Sequence, residues 1–342
     1  MLKLGDISLD LPFFQAPLSG YTDRAMRVLA RKYGAPLTYT GVMLDKIALH
    51  RKAFDRLYSR PGADEGPVGA QILGSNPETM AVAAESFVNI GFDLIDLNFA
   101  CPAPKVLRRH SGGYLLKEPE KAIKILQYVR KSVSCPVTIK LRNGFDNSQE
   151  SLDKFWRICQ GAVAEGVDAI IIHGRPVKNL YRDRSDWEII SEVKREFPQA
   201  TIIGSGDLMD AETVVERLKT SCLDGVIIAR GAIGNPWIFK EARALWEGKP
   251  KPEGPGLTEQ GEVLLKHYEL VAEMRPMLRS VRYFRKFAVG YSRHHPQRKK
   301  VQADLIAARS KDELYAAVKE WYGVGECINQ VHLLLASPEL NC

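Results

Sequence analysis

The chain has 342 residues, of which 45% are hydrophobic and 26% charged, and its formal net charge is +7. This composition is that of a soluble globular protein and excludes a largely disordered chain. No apolar run has the length of a membrane-spanning helix, and the first residues lack the pattern of a secretory signal peptide. We therefore expect a cytoplasmic protein with no membrane partner, made of one large domain and one small one.

Short apolar runs of β-strand composition recur between residues 13 and 230. In chain order they are FFQAP (13–17), LTYTG (37–41), PVGAQIL (67–73), FDLIDLN (92–98), PVTIKLR (136–142), DAIIIHG (168–174), ATIIGSG (200–206) and DGVIIAR (224–230). Between them lie stretches with apolar residues at three- and four-residue spacing, which predict amphipathic helices. Several of these stretches end at a glycine, which suits a left-handed helix C-cap.

Eight continuous apolar strands separated by helices predict parallel pairing and an α/β fold, the (β/α)8 TIM barrel. A doubly wound open sheet is the structural alternative. After a linker rich in Pro, Gly and Lys at residues 246–256, the pattern contains helices without strands. We therefore predict a catalytic barrel domain over residues 1–248 and a small all-helical C-terminal domain over residues 257–342.

Polar and small residues gather at the ends of the predicted strands, where parallel barrels place their active sites. In chain order they are Pro17, Leu18, Gln71, Asn98, Cys101, Lys140, His173, Arg175, Ser205, Gly206, Asp207, Arg230 and Gly231. We expect these residues to surround one ligand.

The runs GSGD and ARG, which end the last two strands, predict a phosphate site because small residues let backbone N–H groups approach an anion. The chain lacks the Rossmann and P-loop motifs, so FMN is the phosphorylated cofactor that fits best. Lys140 favours the same cofactor, since a buried cation needs an anion or an electron-rich ring. Taken singly, the glycines could serve only as tight turns, and Lys140 and His173 could be satisfied core residues.

Six cysteines occur without any C-x-x-C pair, so the sequence predicts no metal centre and no redox dithiol. Cys101 differs from the others because it lies in a turn, in LNFACPAPKV, between a strand and a basic segment.

Positive charge is concentrated in residues 275–300, which hold nine Lys and Arg residues and no acidic residue. The other residues carry 39 basic against 41 acidic side chains. A basic segment with interleaved aromatic residues, here Tyr283, Phe284, Phe287 and Tyr291, is typical of proteins that bind a polyphosphate. A solvated helix face is the alternative interpretation.

These motifs together resemble the dihydrouridine synthase family, which reduces uridine in tRNA with FMN and NADPH. The resemblance rests on APLSGYTD, Gln71, DLNFACPAPKV with SGGYLL, TIKLRNGF, IHGR, GSGD and ARGAIGNPW, in this order over about residues 13–245. The family also carries a basic helical C-terminal domain. The resemblance thus implies a TIM-barrel NAD(P)H-dependent oxidoreductase whose partner is tRNA; we further expect a monomer.

Residue by residue, the resemblance implies that Cys101 is the general acid that protonates C5 of the uracil, and that Asn98 contacts the uracil. It assigns the flavin and its phosphate to the cofactor-binding set Pro17, Leu18, Gln71, Lys140, His173, Ser205, Gly206, Asp207, Arg230 and Gly231. Charge alone suggests further RNA contacts from Arg108, Arg109, Arg175, Arg282, Arg285 and Lys286.

Three positions depart from the usual family pattern, namely Leu18, Gly41 and Ser205, and they leave the target uridine undetermined. Two rival functions are a barrel that uses FMN on a free pyrimidine, such as dihydroorotate or a dihydropyrimidine, and a flavin-free RNA-binding protein. The basic helical domain argues against the first because a small free substrate needs no such surface. Cys101, Lys140 and the phosphate loops argue against the second.

Overall fold

The computed structural model describes residues 1–50, 54, 60–62 and 65–324. The chain divides into two compact units, Met1–Ala232 with Pro236–Pro252, and Ile233–Asn235 with Glu253–Cys342. The boundary after Pro252 falls within the segment that we expected to be a linker. Cys327, Cys342 and the rest of residues 325–342, which end the predicted C-terminal domain, lie outside the described residues.

The strands of the first unit confirm the predicted parallel barrel. They are β1 (Leu2–Leu4), β2 (Ile7–Leu9), β3 (Phe13–Gln15), β4 (Thr38–Tyr39), β5 (Met43–Leu44), β6 (Val68–Leu73), β7 (Leu94–Phe99), β8 (Val137–Arg142), β9 (Ala169–His173), β10 (Ile202–Ser205) and β11 (Gly225–Ile228). All of them except β1, β2 and β5 correspond to the eight predicted strands, and these eight pair in parallel in the order β3, β11, β10, β9, β8, β7, β6, β4.

The barrel closes between its first and last strands. β3 pairs with β11, where Phe14 lies opposite Ile227. On its other side, the backbone N–H of Gln15 donates to the carbonyl of Leu37 at 3.2 Å, one residue before β4 begins. A doubly wound sheet would leave two open edges, so this closure rules out the structural alternative.

Helices alternate with the barrel strands as predicted. They are α1 (Arg24–Lys32), α2 (Pro77–Asn89), α3 (Pro104–Leu107), α4 (Pro119–Ser132), α5 (Gln149–Ala164), α6 (Trp187–Glu196), α7 (Ala211–Thr220) and α8 (Trp237–Trp246). Side-chain oxygens cap the N-termini of several of them, from Asp23, Asn76, Ser148, Asp186 and Asp210. Caps of this kind satisfy backbone N–H groups that have no partner inside the helix, and so fix where each helix begins.

An N-terminal hairpin, which the sequence analysis did not predict, closes one end of the barrel. Leu2, Leu4 and Leu9 from β1 and β2 pack into one buried cluster with residues of the barrel interior such as Tyr39. A Cβ added at Gly5, in the hairpin turn, would lie 2.8 Å from the ring of Pro136, the residue before β8. The hairpin therefore covers the end at which the strands begin, and the opposite end is left for the site.

The second unit is built from helices, namely α9 (Leu257–Met274), α10 (Met277–Tyr291), α11 (Arg298–Ala307) and α12 (Lys311–Tyr322). Its core is aromatic: Tyr268, Phe284, Phe287 and Tyr291 are at most 1% exposed. Three of these four are aromatic residues that we had assigned to a nucleic-acid surface. That assignment is wrong, because aromatic spacing along a helix is the same for a core face and for a binding face.

None of the helices in the described part of the chain is long and apolar enough to cross a membrane.

The hairpin should contribute measurably to stability. Leu4 is fully buried, whereas Lys3 on the same strand is exposed. Replacing Leu4 by Ala removes buried methyl groups and leaves a cavity, so we expect the free energy of unfolding in urea to fall by about 2–5 kcal/mol. Lys3→Ala is the matched control and should change it by less than about 0.5 kcal/mol. Equal effects of the two substitutions would show that the hairpin is not part of the barrel core.

Candidate active site

A cavity lies at the end of the barrel where the strands finish. Of the predicted site residues, those that line it are Pro17, Leu18, Gln71, Asn98, Cys101, Lys140, His173, Ser205, Gly206, Asp207 and Arg230. The fold thus brings together residues that lie up to 213 positions apart in the chain, from Pro17 to Arg230.

A buried carboxylate, Asp96, begins a chain of hydrogen bonds beneath the cavity. Asp96 is fully buried in β7 and lies opposite Gln71 of β6 and Thr138 of β8 in the sheet register. The Thr138 hydroxyl donates to one carboxylate oxygen at 2.7 Å, and Nε2 of Gln71 donates to the other at 2.6 Å. Because an ionised carboxylate can only accept, Asp96 fixes which end of the Gln71 amide faces it.

The same chain of bonds continues to the loop that carries Cys101. Nδ2 of Asn98 donates to Oε1 of Gln71 at 2.7 Å. Oδ1 of Asn98 accepts from the backbone N–H groups of Ala100 and Cys101 at 3.1 and 2.9 Å. Backbone N–H groups can only donate, so Oδ1 of Asn98 must face them. The orientation of the two amides required by these N–H groups is the same as that required by Asp96. We call this chain, from Thr138 through Asp96, Gln71 and Asn98 to Cys101, the β7 relay.

Arg142 joins the Cys101 loop to the loop that follows β9. Its Nε donates to the carbonyl of Ala100 at 3.1 Å, and its Nη1 donates to the carbonyls of Pro176 and Leu180 at 3.1 and 2.9 Å. Burial lowers the pKa of Arg142 to about 10, so the guanidinium keeps its charge at neutral pH. Two loops from non-adjacent strands are therefore held by one buried cation.

Lys140 and Asp96 place opposite charges under the cavity. Burial raises the pKa of Asp96 to about 6, although the hydrogen bonds from Thr138 and Gln71 and the charge of Lys140 oppose this change. Burial also lowers the pKa of Lys140, and the charge of Arg142 adds to that effect. Within the described residues the Lys140 ammonium makes no hydrogen bond or ion pair, so it is available to a ligand in the cavity.

His173 is a neutral side chain at the same end of the barrel. Burial lowers its pKa far below the usual value, and the charges of Lys140, Arg142, Arg175 and Arg230 lower it further. Its buried Nδ1 has no hydrogen-bond partner among the residues that the structure describes. A neutral imidazole with an unused ring nitrogen can donate to, or accept from, a ligand.

The GSGD run forms a strained turn after β10. Gly206 has φ 128° and Asp207 has φ 54°, and residues other than glycine seldom adopt such positive φ values. The Asp207 carboxylate is held there by Nη2 of Arg175 at 2.6 Å, the N–H of Ser185 at 2.9 Å and Nη2 of Arg230 at 3.2 Å. Burial alone would raise the pKa of Asp207, but these donors outweigh it and the pKa is lowered.

Arg175 has a different place from the one we expected. It is 3% exposed and does not line the cavity, so the structure gives no support for a direct RNA contact. Its Nε and Nη2 donate to the carbonyls of Arg182 and Asp183 as well as to Asp207. Charge in the sequence could not distinguish a surface arginine from one that ties together two loops. Its Nη1 is buried without a partner among the described residues.

Gly231 also lies outside the cavity lining. It follows Arg230 in a short 3-10 turn, and an added Cβ there would collide with the carbonyl of Leu208. The glycine is needed for a close backbone approach beside the GSGD turn.

Three further predicted RNA contacts, Arg282, Arg285 and Lys286, lie on α10 in the second unit. Arg282 is exposed, whereas Lys286 is half-buried over the ring of Tyr283. The Arg285 guanidinium donates to the carbonyl of Ala308 at 2.7 Å, just after α11. We had expected the Arg285 guanidinium to donate to RNA, but its Nε and Nη2 donate to the carbonyl of Ala308 instead.

The sequence analysis missed two groups of residues that the structure places in or beneath the cavity. Asp96 and Thr138 were not singled out, although the spacing of Asp96 and Asn98 on one strand places both on the same face. Tyr181 was also missed; it lines the cavity and is 58% exposed, with the Arg230 guanidinium 4.6 Å from its ring centre. It lies in an irregular loop where no periodicity could reveal it.

Comparison with known proteins identifies the family. A family model described as dihydrouridine synthase matches residues 14–322. The chain belongs to the dihydrouridine synthase family. It is 30% identical to a "Probable tRNA-dihydrouridine synthase" of Rickettsia prowazekii, over 94% of this chain and 98% of that protein. It is 31% identical to "tRNA-dihydrouridine synthase B" of Pasteurella multocida, over 85% of this chain and 86% of that protein.

Solved structures show where else this fold occurs. The chain resembles morphinone reductase with a TM-score of 0.53 and 15% identity, over 74% of this chain and 90% of that one. It resembles histamine dehydrogenase from a Rhizobium species with a TM-score of 0.55 and 12% identity, over 79% of this chain and only 50% of that one. This dihydrouridine synthase family enzyme therefore shares its barrel fold with these two proteins.

The buried charge of Asp96 gives a pH-dependent stability. The folded state holds the Asp96 proton up to about pH 6, whereas an unfolded aspartate releases it near pH 4. The folded state binds more protons between these values, so rising pH should destabilise the parent relative to Asp96→Asn by up to about 3 kcal/mol. Urea unfolding of both proteins from pH 4 to pH 7 measures this difference.

Asp146→Asn is the matched control for this measurement. Hydrogen bonds from Lys178 and Ser148 lower the pKa of Asp146. The ionised Asp146 therefore stabilises the folded state, and this stabilisation should be lost only as the pH falls below about 4. A difference between the parent and Asp96→Asn that stays constant from pH 4 to pH 6 would contradict a raised pKa at Asp96.

Proposed function

We propose that this enzyme reduces the C5–C6 double bond of uridine in tRNA to dihydrouridine, with FMN as its cofactor, NADPH as the reductant and Cys101 as the general acid. The observation that carries the proposal is a single cavity that combines a loop cysteine, a half-buried ammonium without an ion pair among the described residues, and a neutral histidine. The family membership and the names of the relatives from Rickettsia and Pasteurella support tRNA as the substrate.

The chemistry of the cavity lining fits a flavin mononucleotide. The Lys140 ammonium needs an anionic or electron-rich partner because burial of an unpaired cation is costly. Ser205, Gly206, Arg230 and the unpartnered nitrogen of His173 suit the phosphate of the cofactor. When bound and reduced, the flavin supplies the hydride that adds to C6 of the uracil.

Gln71 and Asn98 each keep one amide N–H for a ligand. The β7 relay uses the carbonyl oxygen and one N–H of Gln71, and it uses the same two groups of Asn98. Each side chain has a second N–H with no partner among the described residues. We assign the N–H of Gln71 to the flavin ring and that of Asn98 to a uracil carbonyl, since both rings present acceptors.

Cys101 donates a proton to C5 as the hydride arrives at C6. Its loop is fixed from below, because Asn98 binds two of its N–H groups and Arg142 binds the carbonyl of Ala100. A positioned acid contributes about 10²- to 10⁴-fold to the rate. Lys140 and Arg142 line the same cavity as Cys101.

One experiment separates this function from its two rivals. The purified protein should be yellow, NADPH should bleach the flavin without oxygen, and unmodified tRNA should restore the colour while dihydrouridine forms. Restoration of the colour by a free pyrimidine but not by tRNA would support the small-molecule barrel instead. A colourless protein that binds tRNA would support the flavin-free alternative.

Replacement of Cys101 by Ala should abolish turnover and leave the flavin bound. We expect dihydrouridine formation to fall about 10²- to 10⁴-fold because only the proton donor is removed. Cys222→Ala is the matched control, since Cys222 is an exposed thiol outside the cavity. Flavin content by absorbance and single-turnover reoxidation by tRNA are the two measurements. Turnover of Cys101→Ala at the parental rate would remove Cys101 from the acid role.

Charge reversal on α10 tests whether the second unit binds the RNA. Arg279 and Arg282 are exposed, unlike Arg285, so they can be changed without loss of the Ala308 contact. Arg279→Glu with Arg282→Glu should weaken tRNA binding and make its salt dependence less steep by about 2 in the log–log slope. Lys249→Glu with Lys240→Glu in the first unit is the control. An unchanged slope would place the RNA elsewhere.

A further inference from the structure

A basic segment borders the candidate active site and takes no part in the chemistry proposed above. We call residues 105–117, KVLRRHSGGYLLK, the rim segment; it contains Lys105, Arg108, Arg109 and Lys117 and no acidic residue. It follows β7, so it lies at the end of the barrel that carries the cavity. The segment therefore presents positive charge beside the proposed reaction site.

The rim segment is attached directly to the Cys101 loop. The N–H of Gly113 donates to the carbonyl of Cys101 at 3.0 Å. A Cβ added at Gly112, which has φ 58°, would lie 3.0 Å from Cβ of Cys101. A nucleotide held at Cys101 thus has the rim segment as its immediate neighbour.

The most unusual feature of the rim segment is a stacked and exposed pair of rings. The rings of His110 and Tyr114 are parallel to within 4°, with their centres 4.2 Å apart. His110 is exposed and has φ 52°, a left-handed backbone conformation that is rare for residues other than glycine. Its side chain makes no hydrogen bond with the residues that the structure describes. A strained residue that presents a ring to solvent suggests a binding role.

The Tyr114 ring, which stacks on His110, is held in place by Phe145 and Lys117. Tyr114 packs edge-on against Phe145 with a centre distance of 6.5 Å. The Lys117 ammonium lies 5.2 Å from the Tyr114 ring and 5.0 Å from the Phe145 ring. Since Tyr114 is half-buried between these groups, it can hold His110 in a defined plane.

Two arginines beside His110 have charges that are not neutralised within the protein. Arg108 and Arg109 are exposed, and neither guanidinium forms an ion pair or hydrogen bond within the described ranges. Arg142 and Arg175, by contrast, are buried and bonded. The exposed pair is suited to phosphates, and the adjacent ring is suited to a base.

We propose that the rim segment binds single-stranded RNA, with a base next to the reactive uridine stacked on His110 and the flanking phosphates held by Arg108 and Arg109. The inference rests on the proposed function, because a uridine turned out of its stack leaves its neighbours without a stacking partner. His110 replaces that partner. An acidic peptide would match the charges but would have no use for a flat exposed ring.

The test measures binding of two RNA probes to the full-length protein at several salt concentrations. One probe is a 12-nucleotide oligo(U), whose bases are free, and the other is an RNA duplex of equal length, whose bases are stacked internally. The variants are His110→Ala, His110→Phe, and Arg108→Gln with Arg109→Gln. Thermal melting and flavin content of each variant show that it is folded.

Removal of the ring should weaken oligo(U) binding about tenfold and leave duplex binding unchanged. His110→Phe should bind oligo(U) as the parent does, because it keeps a ring at the same backbone position. Loss of the two arginines should weaken binding of both probes and make the log–log salt dependence for oligo(U) less steep by about 1.4, since each single-strand phosphate contact contributes about 0.7.

Lys131→Gln with Lys219→Gln is the matched control for charge. Both residues are exposed in the last turns of α4 and α7, at the end of the barrel away from the cavity. The proposal is overturned if His110→Ala binds oligo(U) like the parent, or if the arginine variant behaves like this control. These binding assays contain no NADPH, so failure of the enzyme to reduce tRNA would refute the proposed function and not this surface.

Discussion

The arrangement of the site depends on one buried carboxylate. At neutral pH the ionised Asp96 can only accept hydrogen bonds, and the backbone N–H groups of the Cys101 loop can only donate them. Gln71 and Asn98 lie between these two ends, so each amide has a single orientation that satisfies both neighbours. The positions and orientations of the Gln71 and Asn98 amides at the cavity therefore follow from the buried Asp96 carboxylate beneath them. Burial of this carboxylate raises the pKa of Asp96.

The two ends of the barrel differ in polarity: one is closed by apolar side chains and the other is lined by cations. At the end where the strands begin, the hairpin fills the opening with Leu2, Leu4 and Leu9. Burial of these side chains removes apolar surface from water and so stabilises the folded barrel. At the other end, cations surround the cavity, and burial lowers the pKa values of Lys140, Arg142 and His173. Such an arrangement opposes folding unless a ligand offsets it, and an anionic, electron-rich cofactor would do so.

Aromatic residues near basic ones have different tasks in the two units. On α10 the rings face inward, and Phe284, Phe287 and Tyr291 form the core of the helical unit. On the rim segment the His110 ring faces solvent, beside arginines that have no partner in the described chain. Composition is similar in both segments, so it was burial that separated a structural aromatic residue from a candidate base-binding one.

The sequence by itself determined the eight strands, the order of the motifs at their ends and hence the barrel, because period and apolar continuity are local properties. It also singled out Cys101 and Lys140 at strand ends. Only the tertiary structure decided that Arg175 is bonded to Asp207, that Arg285 binds the carbonyl of Ala308, and that the hairpin closes the barrel. These outcomes depend on residues distant in the chain, and a side chain's charge or polarity does not specify which distant partner will neutralise it.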